Sequence, residues 1–149
     1  THCISSAASD VYKRQEQQDN VVGAIVDLTE TSFIDSTVLG VLAKLGLKLK
    51  QVHHIQAVML STNSDITTLA NSMGLGQVFV ILNYCGDSHV CTRALIEEHV
   101  THRNMLTTVL DAHKTLMKLN ESNKNMFEPL VKQLQKEQDN LDKVSEPNI

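Results

Sequence analysis

Aromatic side chains are scarce in this chain, which has no tryptophan and only Phe33, Phe79 and Phe127 as phenylalanines. A platform that stacks single-stranded bases or sugar rings needs several such faces, so the composition argues against one. No apolar run is long enough to cross a bilayer. The 13 Lys and Arg against 17 Asp and Glu, a net charge of −4, form no basic patch for nucleic acid. Cysteine is also sparse, and Cys85 with Cys91 makes no disulfide framework, which fits a reducing cytoplasm. Neither C-x2-C nor H-E-x-x-H occurs, so the known zinc spacings are unmatched. From Asp87 onward there is no glycine at all. A length of 149 residues then bounds the chain to one domain plus an appendage.

The richest stretch spans residues 27–42, DLTETSFIDSTVLGVL. Before its turn, Val21, Val22, Ala24, Ile25, Val26 and Leu28 make a near-continuous apolar run, the pattern of a strand covered on both faces. After it, Val38, Leu42, Leu45, Leu49 and Val52 recur at helical spacing while Lys44, Lys48, Lys50 and Gln51 fall elsewhere. The spacing predicts a strand over 21–28, a helix over 36–52 and a strand over 55–60. A short helix capped by Asp65 should run to Met73 and end on the permissive backbone of Gly74 and Gly76, before a last strand over 78–82. Strands alternating with helices imply an α/β fold with a parallel sheet and right-handed crossovers.

The turn Asp35-Ser36-Thr37-Val38-Leu39 resembles the D-S-S-G-L-like turn of the STAS family, the fold of bacterial anti-sigma factor antagonists. Downstream, HIQAVMLSTNSDITTLANSMGLGQVFVIL is similar to the family's next strand, short helix, small-residue turn and last strand, so the resemblance covers residues 21–82. It implies a small, mainly parallel sheet with helices packed on it. It also implies a cytoplasmic, non-enzymatic signalling module with no cofactor, which binds protein and neither nucleic acid nor membrane. In partner-switching members the serine directly after the turn aspartate is phosphorylated by the partner kinase, and that position matches Ser36, with Thr37 as the alternative acceptor. The implied partner-binding residues are Asp35, Ser36, Thr37 and Val38. The implied partners are an anti-sigma factor serine kinase, which also sequesters a sigma factor, and a cognate serine phosphatase that resets the switch. Val38 stands where the family often has glycine, as it does in scaffold-like members of signalling complexes. A constitutive STAS scaffold subunit therefore stays open beside the switch, as does a transport-accessory STAS domain.

Residues 1–15 read differently. SSAASDVYKRQ, residues 5–15, resembles the translation of a common sequencing adapter that ends in a transposon mosaic end, and the preceding THCI fits the adapter joined to an index. The segment has neither the apolar core nor the cationic start of a signal peptide, and it is set aside from fold reasoning. Residues 16–86 are then a partial STAS domain, whose usual first strands and helix are not supplied by residues 16–20. Such a sheet would carry an open edge.

Residues 87–149 are long, polar and helical in composition. Leu95, His99, His102, Leu106, Val109, His113, Leu116, Asn120, Asn123, Phe127, Leu130, Leu134, Glu137, Leu141 and Val144 alternate by four and three, a heptad seam. Pro129 should interrupt a continuous helix, so two helices meeting near residues 120–128 are expected. They either fold back as a hairpin or pair as a coiled coil with a second copy of the chain. Both remain open here.

Other chemistry is weakly signalled. His99 and His102 share a helix face but match no zinc pattern. His53 and His54 close the first helix, where imidazolium suits the dipole. The glycines of Gly74-Leu75-Gly76 follow a helix rather than a strand and do not cradle phosphate. Ser36 has no histidine-acid pattern nearby and no G-x-S-x-G elbow, so its bland role is an ordinary helix cap.

Overall fold

The structure is a computed structural model that describes residues 23–83 and 102–144. Expectations resting on residues 1–22, on Cys85 and Cys91, and on Leu95 and His99 lie outside the described residues. The elements run β1 (Ile25–Asp27), α1 (Ser36–Val52), β2 (Ala57–Leu60), α2 (Ser64–Ser72), a 3-10 turn (Leu75–Gln77), β3 (Phe79–Leu82), α3 (His102–Met117) and α4 (Glu121–Val144). The fold is mixed α/β, a small three-stranded parallel sheet in the order β1-β2-β3 with helices packed on it.

Because strand side chains alternate, the registers Val26 to Met59 and Ala57 to Phe79 put one row of apolar groups on a common face. That face carries Leu28, Ala57, Met59 and Phe79 into a core shared with Leu39, Leu45, Ile66, Leu75, Leu116 and Phe127. The opposite row is mixed: Ile25, Val80 and Leu82 are exposed, Val58 is half-buried and Leu60 is buried. The expectation of a strand covered on both faces is thus corrected, since the helices that join the core draw on one face of the sheet among the described residues. A buried parallel strand and a half-buried one read alike when both rows are apolar.

Helix α1 is the central element, and it buries residues on two sides. Val38, Leu42, Leu45 and Leu49 join the core as their spacing predicts, whereas Val52, the last residue of the helix, is exposed. Gly46 lets the ring of Phe79 lie against the helix, where an added Cβ would come within 2.9 Å of Cε2. Gly40 does the same for α3. A Cβ there would collide with the carbonyl oxygen of Ala112 and stand 2.7 Å from its Cβ, so only glycine permits this close approach.

The helix ends are made by polar side chains and one unusual backbone. At the end of α1, His54 has φ 55°, a left-handed conformation more often given to glycine, and the Ile55 N–H returns to the Leu49 carbonyl at 3.1 Å. The expected capping of α2 by Asp65 is corrected: Asn63 is the cap, its Oδ1 accepting from the Asp65 N–H at 2.9 Å. Asp65 sits instead in the first turn, where its charge suits the dipole. Gly74, at φ 82°, closes α2 as expected.

The appendage is a hairpin. Helices α3 and α4 pack on each other, and Gln138 donates to Thr107 across them at 3.2 Å. Their junction lies at residues 118–120, where Asn120 Oδ1 caps α4 by accepting from the Asn123 N–H at 2.8 Å. Pro129 does not interrupt the helix as expected but stands inside α4. It is exposed, so the carbonyl it leaves without a donor can be hydrated. The seam is buried at Leu106, His113, Leu116, Asn123 and Phe127 and opens at Leu130, and part of it faces the α/β unit.

The Gly40 contact yields a direct test. Gly40→Leu should lower the free energy of unfolding by about 1–3 kcal/mol through overpacking against α3. Gly76→Ala, whose added Cβ would meet only Asn71 Oδ1 at 3.4 Å, should cause no loss. Urea unfolding of both variants checks this, and an unchanged midpoint for Gly40→Leu would contradict the packing.

Candidate functional site

The turn before α1 is built by an aspartate. Asp35 has extended backbone, its carboxylate accepts from the Val38 N–H at 2.8 Å, and its carbonyl accepts from the Leu39 N–H at 3.1 Å. Asp35 is therefore the cap, and the expectation that Ser36 caps the helix is corrected. The hydroxyl of a residue inside the first turn points elsewhere, and Ser36 is the first helical residue. Thr37 follows it, half-buried. Val38 contributes its backbone N–H to the cap while its side chain is in the core, 3 % exposed, so that side chain is closed to a partner.

With the cap role taken, the Ser36 hydroxyl pairs with a residue 77 positions away. Its Oγ lies 2.9 Å from Nε2 of His113, whose ring is 2 % exposed. The other ring nitrogen, Nδ1, is 2.8 Å from the Val109 carbonyl one turn back in α3. A carbonyl can only accept, so Nδ1 carries the proton; in the neutral ring Nε2 is then an acceptor and Ser36 donates. Phe127 of α4 fixes the ring from a third side, edge-on at 4.9 Å and 64°. One imidazole thus joins α1, α3 and α4.

This arrangement has a hydroxyl, an imidazole hydrogen-bonded to it and, as orienter, a backbone carbonyl instead of a carboxylate. Where a hydrolase triad has a buried carboxylate to stabilise imidazolium, His113 has a neutral carbonyl, which fixes the tautomer without offsetting a charge. The contact therefore favours holding two elements together over activating Ser36. Among the described residues no group of three or more His, Cys, Asp or Glu could hold a metal ion. The Lys44 to Asp111 pair, 3.1 Å and half-exposed on both sides, adds a contact between α1 and α3 of the kind that contributes little to stability.

A second polar anchor lies at the hairpin junction. Asn123, 1 % exposed, donates from Nδ2 to the Met73 and Leu116 carbonyls, each at 2.9 Å, and Gln77 Nε2 donates to the Leu119 carbonyl at 2.9 Å. Among the described seam positions, His113, Asn120 and Asn123 thus have partners inside the chain. Gly74 belongs to this docking surface, an added Cβ lying 3.0 Å from Asn120 Nδ2.

His113 is the residue that local pattern reading misses, because nothing near Ser36 in sequence announces it. The available signal was a histidine at a seam position flanked by leucines, a polar group that must find a partner once buried. No family model matches the chain, and no curated protein or solved structure matches it.

Two measurements check this geometry. The 15N shifts of the neutral His113 imidazole should report a protonated Nδ1 and an unprotonated, hydrogen-bonded Nε2; the reverse tautomer would break the assignment. Asp35→Ala should lower stability by about 0.5–2 kcal/mol through loss of the cap.

Proposed function

We propose that this chain is a regulatory protein-binding module of the STAS kind, resembling an anti-sigma factor antagonist. It binds an anti-sigma factor serine kinase through the Asp35, Ser36 and Thr37 turn and is switched by phosphorylation at Ser36, with Thr37 as the alternative acceptor and a serine phosphatase as the reset. The observation that carries the reading is the position of Ser36 as the first residue of α1, next to the exposed Asp35. The first backbone N–H groups of a helix and its positive dipole end accept a phosphate without loss of the helix. The same added charge, about −1.5 to −2, sits beside a carboxylate and is unfavourable in a docked interface. Binding is lost while helix α1 survives.

Two observations favour a second reading. The Ser36 hydroxyl is already occupied by His113, and Val38 stands in place of the family's common glycine, which suits a constitutive STAS scaffold subunit. Incubation with the cognate kinase followed by phosphopeptide mapping separates the two. Ser36→Asp should weaken kinase binding by at least about tenfold with unchanged helix content, as like-charge placement in an interface does; Ser36→Ala should keep binding and abolish regulation. If neither Ser36 nor Thr37 is labelled and the aspartate variants bind normally, the scaffold reading takes its place.

A further inference from the structure

Helix α1 carries a second stripe besides its core-facing one. Ser36, Gly40 and Lys44 follow at intervals of four and therefore share a face. Each meets α3: Ser36 through His113, Gly40 through Ala112, Lys44 through Asp111. The hairpin thus lies along the outer side of the helix whose first turn carries the candidate phosphoacceptor.

We propose that the Ser36 and His113 contact is a clasp that reads the chemical state of the Ser36 hydroxyl, and that a phosphate ester on this oxygen releases the α3 and α4 hairpin from the outer stripe of α1. The inference gives a regulatory consequence to the phosphoacceptor reading above and rests on that reading for its biological meaning. In the transfer, a nucleoside triphosphate gives its terminal phosphoryl group to Ser36 Oγ. The terminal P–O bond of the triphosphate breaks, an O–P ester forms, the nucleoside diphosphate leaves and the hydroxyl proton passes to solvent.

The clasp fails for two separate reasons once the ester exists. The first is chemical, because Nε2 in this tautomer needs a donor and an esterified oxygen has no hydrogen to give. Nε2 of the neutral ring then loses its donor, in a residue that is itself 2 % exposed. The second is steric. A separation of 2.9 Å fits one shared hydrogen, so with Ser36 half-buried a phosphoryl group on Oγ cannot be seated toward α3 while the contact stands. Nor can the ring retreat within α3, since Phe127 stands edge-on to it and the Ala112 backbone is seated on Gly40. Making room means lifting α3 from α1. The phosphate thereby changes the shape of the surface around Ser36 as well as its charge.

The test uses the full chain with phosphoserine installed at position 36 during translation, so that it needs no kinase. Hydrogen exchange of the amides at residues 106–116 should accelerate about fivefold to hundredfold, the range for leaving one buried polar group unsatisfied, while amides of β2 stay within twofold. Ser36→Ala, which removes the donor without adding bulk, is the companion should the phosphorylated chain fold poorly, and it should shift α3 in the same direction by at least about fivefold. Exchange in α3 that is unchanged or slower in both proteins overturns the clasp, as it would if an imidazolium and phosphate pair held the hairpin more tightly. Failure of any kinase to label Ser36 would instead overturn the phosphoacceptor reading and leave the clasp standing.

Discussion

The approach of α3 to α1 at Gly40 is the constraint on which the described structure depends. With Ala112 backbone atoms seated where a Cβ would be, the two helix axes come close enough for side chains that could not otherwise meet to pair. Ser36 reaches His113, and Lys44 reaches Asp111. The same docking brings Leu116 and Phe127 into the core formed by the sheet and α1, so the appendage is part of the fold rather than a separate rod.

Apolar burial and buried polar groups divide the work between them. Burying Leu39, Leu45, Met59, Phe79 and Leu116 supplies the driving force, at about 1.5–3 kcal/mol for each fully buried large side chain. That force is non-directional and would tolerate a hairpin shifted along α1. His113 and Asn123 remove the tolerance, because each has partners at only one register and an unsatisfied buried polar group costs about 1–3 kcal/mol. Two polar bolts, one near the start of α1 and one at the hairpin junction, fix what the apolar contacts hold.

Much of the α/β unit was legible because its signals are local. The α1 boundaries, the positions of β2 and β3 to within two residues, and the stop at Gly74 followed from periodicity and turn chemistry, whereas β1 begins only at Ile25 and not at residue 21. What was not legible depended on distant partners. That Asp35 rather than Ser36 caps α1 is decided by which side chain is free to turn inward, and Ser36 is drawn away by a histidine 77 residues on. Whether the tail folds back or pairs with a second copy is not written in a heptad seam, since either partner buries the same stripe; Gly40 decides it in the structure, and its meaning appears only with Ala112 beside it. Pro129 misled because its penalty depends on exposure, which composition does not show.

The central claim is that Ser36 and His113 act as one unit across the α1 and α3 interface. A double-mutant cycle of Ser36→Ala and His113→Gln, read by urea unfolding of the full chain, measures that coupling most directly. The account predicts a coupling energy of about 0.5–1.5 kcal/mol, the net contribution of a typical hydrogen bond, with the double variant less destabilised than the sum of the singles. Effects that add within experimental error would contradict it.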